Sequence, residues 1–481
     1  MGSQYLLTCV CFWLPLVSFT ISVASQKSTA GPGNVIEGNV FINGTTSIGR
    51  IDDDFVCATL DWWPPEKCDY GTCSWGRDSL LNLDLNNLKF LNAIKAFSPL
   101  KIRLGGTLQD KVIYERAGNG QPCSPFVKNN SEFLGFSQGC LPMSRWDELS
   151  VFFKKAGAVV VFGLNELSGK TTDSQGNELS GNGIGARVSA DQYASDINSL
   201  QNVVQNIYAG FKVKPQIVAP GGFFDATWFT DFIKKTPKSL QVVSHHIYNL
   251  GPGVDDHLIE KILDPSSLDS TSQTFSSLQS ILKNSGTQAV AWVGEAGGAY
   301  NSGHNLVTNA FVFSIWTNSG WHHLLIPKHT VDKHWLVETM AYSTLPPLLQ
   351  ILITTGITLL LINLDGNTTV QVRVSTENNS GGTKNSSMHE IQIPRTRFAT
   401  MHRVRGSKRV NDTRKEYHLT AKDGDLHSQT ILLNGKILNI DSSGLIPPLI
   451  PIDVNQLDPI IVVPFSIVFA QIPYIKFSAC N

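Results

Sequence analysis

Between Phe55 and Trp316, short apolar runs of strand length alternate with longer amphipathic stretches, and this alternation limits the fold more than any other feature of the chain. The runs are FVCATLD (55–61), LKIRLGG (100–106), AVVVFGL (158–164), PQIVAPG (215–221), VVSHHIY (242–248) and AVAWVGE (289–295), with AFVFSIW (310–316) as a candidate last strand. A strand that is apolar on both faces needs cover on both, which a parallel sheet flanked by helices supplies. Stretches such as SADQYASDINSLQNVVQNIYAG (189–210) and SSLQSILKNSG (276–286) carry apolar residues at helical spacing and run into a glycine. About seven or eight βα units in succession predict a parallel α/β fold of the (β/α)8 TIM-barrel type rather than an open doubly wound sheet.

From residue 356 onward the helical stretches disappear. GITLLLINL, TVQVRVST, EIQIPRT, QTILLNGKIL and PIIVVPFSIVFAQI read as successive strands, with turns at Asp365-Gly366 and Asn434-Gly435. A β-sandwich over 356–481 is the expectation. The last run is too interrupted, by Pro464 and Gln471, to serve as a membrane tail.

Residues 6–24, LLTCVCFWLPLVSFTISVA, carry no charge and are followed by Ser25, so 1–25 reads as a secretory signal peptide. A membrane anchor is the alternative, because the first residues lack Lys and Arg; Pro15 and the early position favour the signal. Cys57, Cys68, Cys73, Cys123, Cys140 and Cys480 then remain in an oxidising compartment, which favours disulfides over metal ligation. Cys68 with Cys73 and Cys123 with Cys140 are plausible local staples, although other pairings stay open. Sequons begin at Asn43, Asn129, Asn367, Asn378, Asn385 and Asn411, as suits a secreted surface. A formal net charge of −1 gives no field that would draw the chain to nucleic acid. With 42% hydrophobic and 16% charged residues it has the material for a sizeable core.

In a parallel barrel the reactive groups belong at the C-terminal ends of the strands. Glu295 ends AVAWVGE and precedes the Gly-rich AGGAYNSG; a carboxylate after an apolar strand is costly to bury without a use. Glu178, beside Asn177 in GNELSGNGIGAR, is the second candidate, although a glutamate in such a loop is ordinarily just solvated. Two carboxyl groups are what a retaining glycosidase needs, one to protonate the leaving oxygen and one to attack the anomeric carbon. Asn177 is placed to hold a sugar 2-hydroxyl. His245 and His246 alternate in and out of a strand, which makes them a poor joint metal site; His245 and Tyr248 are read as a cleft wall, with a satisfied structural histidine nearly as good a reading.

NELSGNGIGAR, APGGFFDATWF, HHIYNLGPGVD, AVAWVGEAGGAYNSG and LVTNAFVFS together resemble the plant heparanase-like proteins of glycoside hydrolase family 79. The resemblance covers most of 36–316 and 356–481. It implies a (β/α)8 barrel over 51–316 and a β-sandwich assembled from the C-terminal part and an N-terminal strand within 36–50. It implies retaining hydrolysis of β-glucuronides without a cofactor, with Glu178 as acid/base and Glu295 as nucleophile. Sugar-contacting roles follow for Asp61, Thr107, His245 and Tyr300. The partner would be a glucuronic-acid-containing glycan or glucuronide, outside the cell or at the wall, with a lysosomal or vacuolar location, peripheral membrane association and oligomeric state left open.

The sequence departs from that pattern twice. Only LSGKTTDSQG joins Glu166 to Asn177, where the family has a helix and its fourth barrel strand; ten residues cannot hold both. Residues 317–355, with His322, His323, His329 and His334, resemble nothing in the family; GWHH, IPKHTVDK and HWLVETMAYSTL within them are what the family's usual text gives when read one nucleotide out of frame, so a shifted reading frame or a mis-spliced gene is the expectation. A metal site there is disfavoured, since ligands need positioned geometry. The barrel is therefore expected to lack a helix-strand unit and part of its last unit. The rival to an active enzyme is a catalytically impaired carbohydrate-binding family member.

Overall fold

A computed structural model describes residues 34–42, 44–45, 54–68, 74–97, 99–114, 123–132, 135–165, 188–300, 311–312, 335–341, 356–376, 413–473, 475 and 477. Asn177, Glu178, the run EIQIPRT, the leader 1–25 and the four histidines between 322 and 334 lie outside the described residues.

After β1 (Asn34–Ile42) come β2 (Cys57–Asp61), a short α1 (Ser74–Arg77), α2 (Leu88–Ala96) and β3 (Lys101–Gly105). The small β4 (Val112–Tyr114) and β5 (Gly139–Leu141) pair with each other, and α3 (Met143–Ala156) leads into β6 (Val159–Phe162). The Asn87 side chain caps α2 by accepting from the Lys89 and Phe90 amides, and Gly157 ends α3 in the left-handed conformation. β2, β3 and β6 form a parallel sheet with β3 in the middle. Ile102 and Leu104 of β3 pack with Leu91, Ile94, Leu149, Phe152 and Phe153 in one buried cluster shared with α2 and α3. Each such side chain contributes about 1.5–3 kcal/mol on burial. By the two-residue period, Lys101, Arg103 and Gly105 face away from those helices.

The second parallel sheet runs through α4 (Ala190–Ile207), β7 (Val218–Ala219), α5 (Ala226–Lys235), β8 (Val242–Ile247), β9 (Gly251–Pro252), α6 (Leu258–Leu263), α7 (Pro265–Ser285), β10 (Val290–Ala296) and β11 (Ala299–Tyr300). Ser189, Asp225 and Asp264 cap α4, α5 and α7 through their side chains. β8 lies between β7 and β10, and Val243 packs against Phe229, Phe232, Ile233 and Leu278 from the flanking helices. β9 and β11 form a two-residue parallel ladder that ties the loop after β8 to the loop after β10. Among the described residues no ladder joins the two sheets. Val159 and Val160 of β6 and Val290 of β10 are 41%, 36% and 54% exposed, as edge positions of unclosed sheets are.

The expectation of a strand at AFVFSIW is corrected at its two described residues: Phe311 and Val312 are helical. Their amides donate to Ser428 and Leu426 carbonyls, and Phe311 is buried with Leu360, Tyr417 and Phe469, so contact with the C-terminal strands sets the local conformation.

Those strands are β12 (Trp335–Ala341), β13 (Gly356–Asn363), β14 (Thr368–Thr376), β15 (Thr413–Ala421), β16 (Ile431–Leu433), β17 (Lys436–Ile437), β18 (Ile452–Asn455), β19 (Ile460–Val462) and β20 (Ser466–Pro473). One sheet has the order β12-β13-β20-β15-β16-β17 with β18 on β15; the other is β1-β14-β19, with β1 parallel to β14. Alternate residues of both sheets, among them Val40, Leu359, Leu361, Val370, Val372, Ile460, Val468 and Ala470, share one buried cluster. Asn434 and Gly435, both at positive φ, make the hairpin turn between β16 and β17. Cys123 and Cys140 form a disulfide, and Cys57 is free. Among the described residues no helix is long and apolar enough to cross a membrane.

Candidate active site

Glu295 reaches its position through a break in strand regularity. Along β10, Trp292 pairs with Ser244 and Val293 with His245, but the next matched pair is Glu295 with His246, so Gly294 is an extra residue in the ladder. Trp292 lies on the sheet face that Lys101 reaches, since the Lys101 ammonium sits 4.5 Å from the Trp292 ring centroid. In an unbroken strand the two-residue period would put Gly294 on that face and Glu295 on the helix side. The bulge at Gly294 reverses the parity and turns Glu295 onto the face shared by Trp292, Ser244 and His246.

There the carboxylate meets three groups from two strands and a loop. Arg103 Nη1 donates to Oε2 at 2.7 Å, the Tyr248 hydroxyl donates to Oε1 in a short hydrogen bond, and His246 Nδ1 lies 3.6 Å from Oε2. Arg103 comes from β3, so this ion pair spans the gap between the two parallel sheets. Burial works against ionisation, but His246, Arg103 and Tyr248 outweigh it and hold the Glu295 carboxyl below its ordinary value. The group is an ionised, hydrogen-bonded carboxylate at a strand end, and its side chain is still 24% exposed.

Asp61 ends β2 beside this group. Burial, and then the charge of Glu295, push its pKa up to about 6, against the opposing pull of Arg103 and of the 3.1 Å hydrogen bond from Trp63 Nε1. Gly106, at φ 85°, makes room for it: a Cβ there would lie 2.3 Å from the Asp61 carboxyl carbon. Thr107 opens the short 3-10 turn Thr107–Lys111 just after β3. Tyr300, 44% exposed, stands edge-on to Tyr248 with ring centroids 6.3 Å apart. The strand ends thus bring Asp61, Tyr248, Glu295 and Tyr300 to one side of the molecule, with Asn177 and Glu178 outside the described residues.

His245 is a correction. Its ring is fully buried on the helix side, edge-on to Phe224 and Phe275, and cannot form a cleft wall; the adjacent His246 faces Glu295 instead. The alternation was legible, but its phase was set by Val243 packing into the helices. Arg103 and His246 were missed as site residues. The signal for Arg103 was an arginine inside an otherwise apolar run, LKIRLGG, two residues before the glycines. Among the described residues no group of three or more His, Cys, Asp or Glu side chains could hold a metal ion.

The profile of the glycosyl hydrolase family 79 N-terminal domain matches residues 37–176 and 173–319. Heparanase-like protein 3 of Arabidopsis thaliana is 46% identical, over 92% of this chain and 94% of that one. Baicalin-beta-D-glucuronidase of Scutellaria baicalensis is 36% identical, over 90% of this chain and 92% of that one. A 4-O-alpha-L-rhamnosyl-beta-D-glucuronidase from Fusarium oxysporum shares the fold with a TM-score of 0.50 at 12% identity, covering 91% of this chain and 100% of that one. An arabinofuranosidase of glycoside hydrolase family 51 from Xanthomonas axonopodis does so with a TM-score of 0.50 at 14% identity, covering 89% and 99%. The likeness to these two structures speaks to the α/β fold alone. The matched profile and the extent of the plant relatives settle the family: the chain belongs to glycoside hydrolase family 79, a glycosidase group that includes heparanase-like proteins and a β-glucuronidase.

Proposed function

We propose that this chain is a secreted, retaining glycoside hydrolase that removes β-linked glucuronic acid, with Glu295 as nucleophile and Glu178 as acid/base. The observation that carries the reading is the environment of Glu295: a carboxylate kept ionised and aimed by Arg103 and Tyr248 at the end of a parallel strand. In the first step a Glu295 oxygen bonds to the anomeric carbon while the glycosidic C–O bond breaks and Glu178 gives its proton to the departing oxygen. In the second, water attacks the same carbon, its proton passes to Glu178, and the Glu295 ester bond breaks, so configuration is retained. Asp61, half-protonated at about pH 6, suits hydrogen bonding to sugar hydroxyls in either sense. Thr107, Asn177 and Tyr300 complete the sugar contacts in this reading, and no cofactor enters either step.

The substrate class rests on the plant relatives, one of which is a β-D-glucuronidase by name. The two three-stranded parallel sheets are read as arcs of one barrel over 51–316, and the C-terminal sheets with β1 as its β-sandwich companion. Secretion is supported by the Cys123–Cys140 disulfide, which belongs in an oxidising compartment.

Two observations favour the second reading, an impaired carbohydrate-binding member. The family profile matches in two pieces that meet at 173–176, and the alignment with heparanase-like protein 3 extends over 511 positions against 481 residues here. The first places a break at the link from Glu166 to Asn177, and the second shows that the relative carries residues that this chain lacks. The deciding experiment is hydrolysis of a chromogenic β-glucuronide by the secreted chain, beside Glu295→Gln and a control with the family's missing segments restored. Turnover that vanishes in Glu295→Gln upholds the enzyme; turnover only in the restored control upholds the second reading.

A further inference from the structure

From the ladder between β8 and β10 we infer that Ser244 and Gly294 form a cross-strand positioning pair that fixes the bulge and so aims Glu295. The inference rests on Glu295 being the nucleophile and adds two residues that touch no reacting atom. The bulge falls at Gly294, and it alone turns Glu295 toward Arg103. A Cβ built on Gly294 would lie 2.1 Å from Ser244 Oγ, and the next atoms are Ser244 Cβ at 3.4 Å and His246 Nε2 at 3.5 Å. The space that any other residue at 294 would need is therefore filled by one hydroxyl from the neighbouring strand.

That hydroxyl can yield only by turning about its own Cα–Cβ bond, inside a buried position. Ser244 is 2% exposed, in the middle strand of its sheet, between Val243 and His245, which are both fully buried toward the helices. Shifting the Ser244 backbone would pull those two side chains out of a close-packed layer, so turning the hydroxyl about χ1 is the local way to make room. Where the packed surroundings deny the hydroxyl that rotation, an added methyl at 294 opens the bulge, and Glu295 is the next residue. Its contact with Arg103 is 2.7 Å, so a displacement of about 1 Å ends it and carries the carboxylate out of attacking geometry. Removing the Ser244 hydroxyl leaves only ordinary contacts, to its Cβ and to His246 Nε2, which predicts that a second substitution repairs the first.

The test compares Gly294→Ala, Ser244→Ala and the double variant by steady-state kinetics on a chromogenic β-glucuronide and by crystal structure. Gly294→Ala is expected to lose about 100-fold in kcat with KM within about threefold, and to lose the Arg103–Glu295 contact. The double variant recovers at least about tenfold of that loss and restores the contact, a coupling that two independent structural sites would not show. Should Gly294→Ala fail to fold, recovery of folding together with the contact in the double variant serves the same purpose. The inference is overturned if Gly294→Ala keeps both the contact and the activity, or if the double variant is no better than the single one. If the native chain turns over no glucuronide, the proposed function fails, and the Arg103–Glu295 contact in the two variant structures alone decides this inference.

Discussion

His245 makes the molecule's sharpest stability prediction. Both ring nitrogens lack a hydrogen-bond partner and the side chain is fully buried, packed edge-on against Phe224 at 6.2 Å and Phe275 at 5.2 Å. Burial, reinforced by His246, lowers its pKa from 6.5 to about 4. An unfolded chain binds a proton on this ring as pH falls through 6.5, and the folded chain resists until about 4, so stability is full above that window and is lost on descending through it. At about 1.4 kcal/mol per pH unit the whole loss is about 3 kcal/mol, of which about 2 kcal/mol falls between about pH 7.5 and about pH 5. Asp61 acts with the opposite sign, because its raised pKa of about 6 means the folded state takes a proton first and gains stability as pH falls. The native pH profile alone therefore hides the effect, and the comparison must be between native protein and His245→Leu, in which Asp61 cancels. Urea unfolding at the two pH values should show the leucine variant losing about 2 kcal/mol less on acidification. It should also be about 1 kcal/mol more stable already at neutral pH, since a buried polar group without a partner has been removed. Equal acid losses in the two proteins would refute the reasoning.

Two further substitutions separate the site from the scaffold. Arg103→Met removes a charge that holds Glu295 ionised, so the acid limb of the kcat/KM profile should move to higher pH, with a loss of about 100-fold at the optimum; an unmoved limb would deny Arg103 that role. Arg414 and Glu416 lie 2% and 3% exposed on β15, paired at 2.5 Å, and Arg414 also donates to the carbonyls of Asn455, Gln456 and Asp458. Arg414→Met leaves Glu416 buried without that partner and should cost about 3–5 kcal/mol in urea unfolding, while kcat in the folded fraction stays as it was.

Much of the parallel part could be read from the sequence, because a run that is apolar on both faces has few other places to go. β2, β3, β6 and β8 each fall inside one of the runs, β10 overruns its run by the single residue Ala296, and Glu295 falls near a strand end as read. What stayed hidden depends on relations between strands. The period of two in VVSHHIY distinguishes the two histidines, but only the helices packed on Val243 decide which of them is outside. The same period, continued through AVAWVGE, points Glu295 to the wrong side; the bulge that corrects it exists only against Ser244 in the next strand. Arg103 was hidden because its partner is 192 positions away, across a gap between sheets that no local pattern encodes.

The break near 173–176 falls on one side of the chemistry. Arg103, Tyr248, His246 and Glu295 come from β3, the loop after β8, β8 and β10, and the described residues already bring these four into mutual contact. This makes the leaving group the informative variable. A working acid protonates the departing oxygen, so the rate should depend weakly on leaving-group acidity; without it, only aryl glucuronides with acidic phenols should leave readily. In a series of aryl β-glucuronides, Glu178→Ala is expected to slow the poorest leaving groups by about 1000-fold or more and the best by about tenfold or less, with azide restoring part of the second step. If the native chain and Glu178→Ala show the same steep dependence, Glu178 delivers no proton, and the acid/base half of the proposed mechanism fails while the Glu295 half stands to be tested by Glu295→Gln.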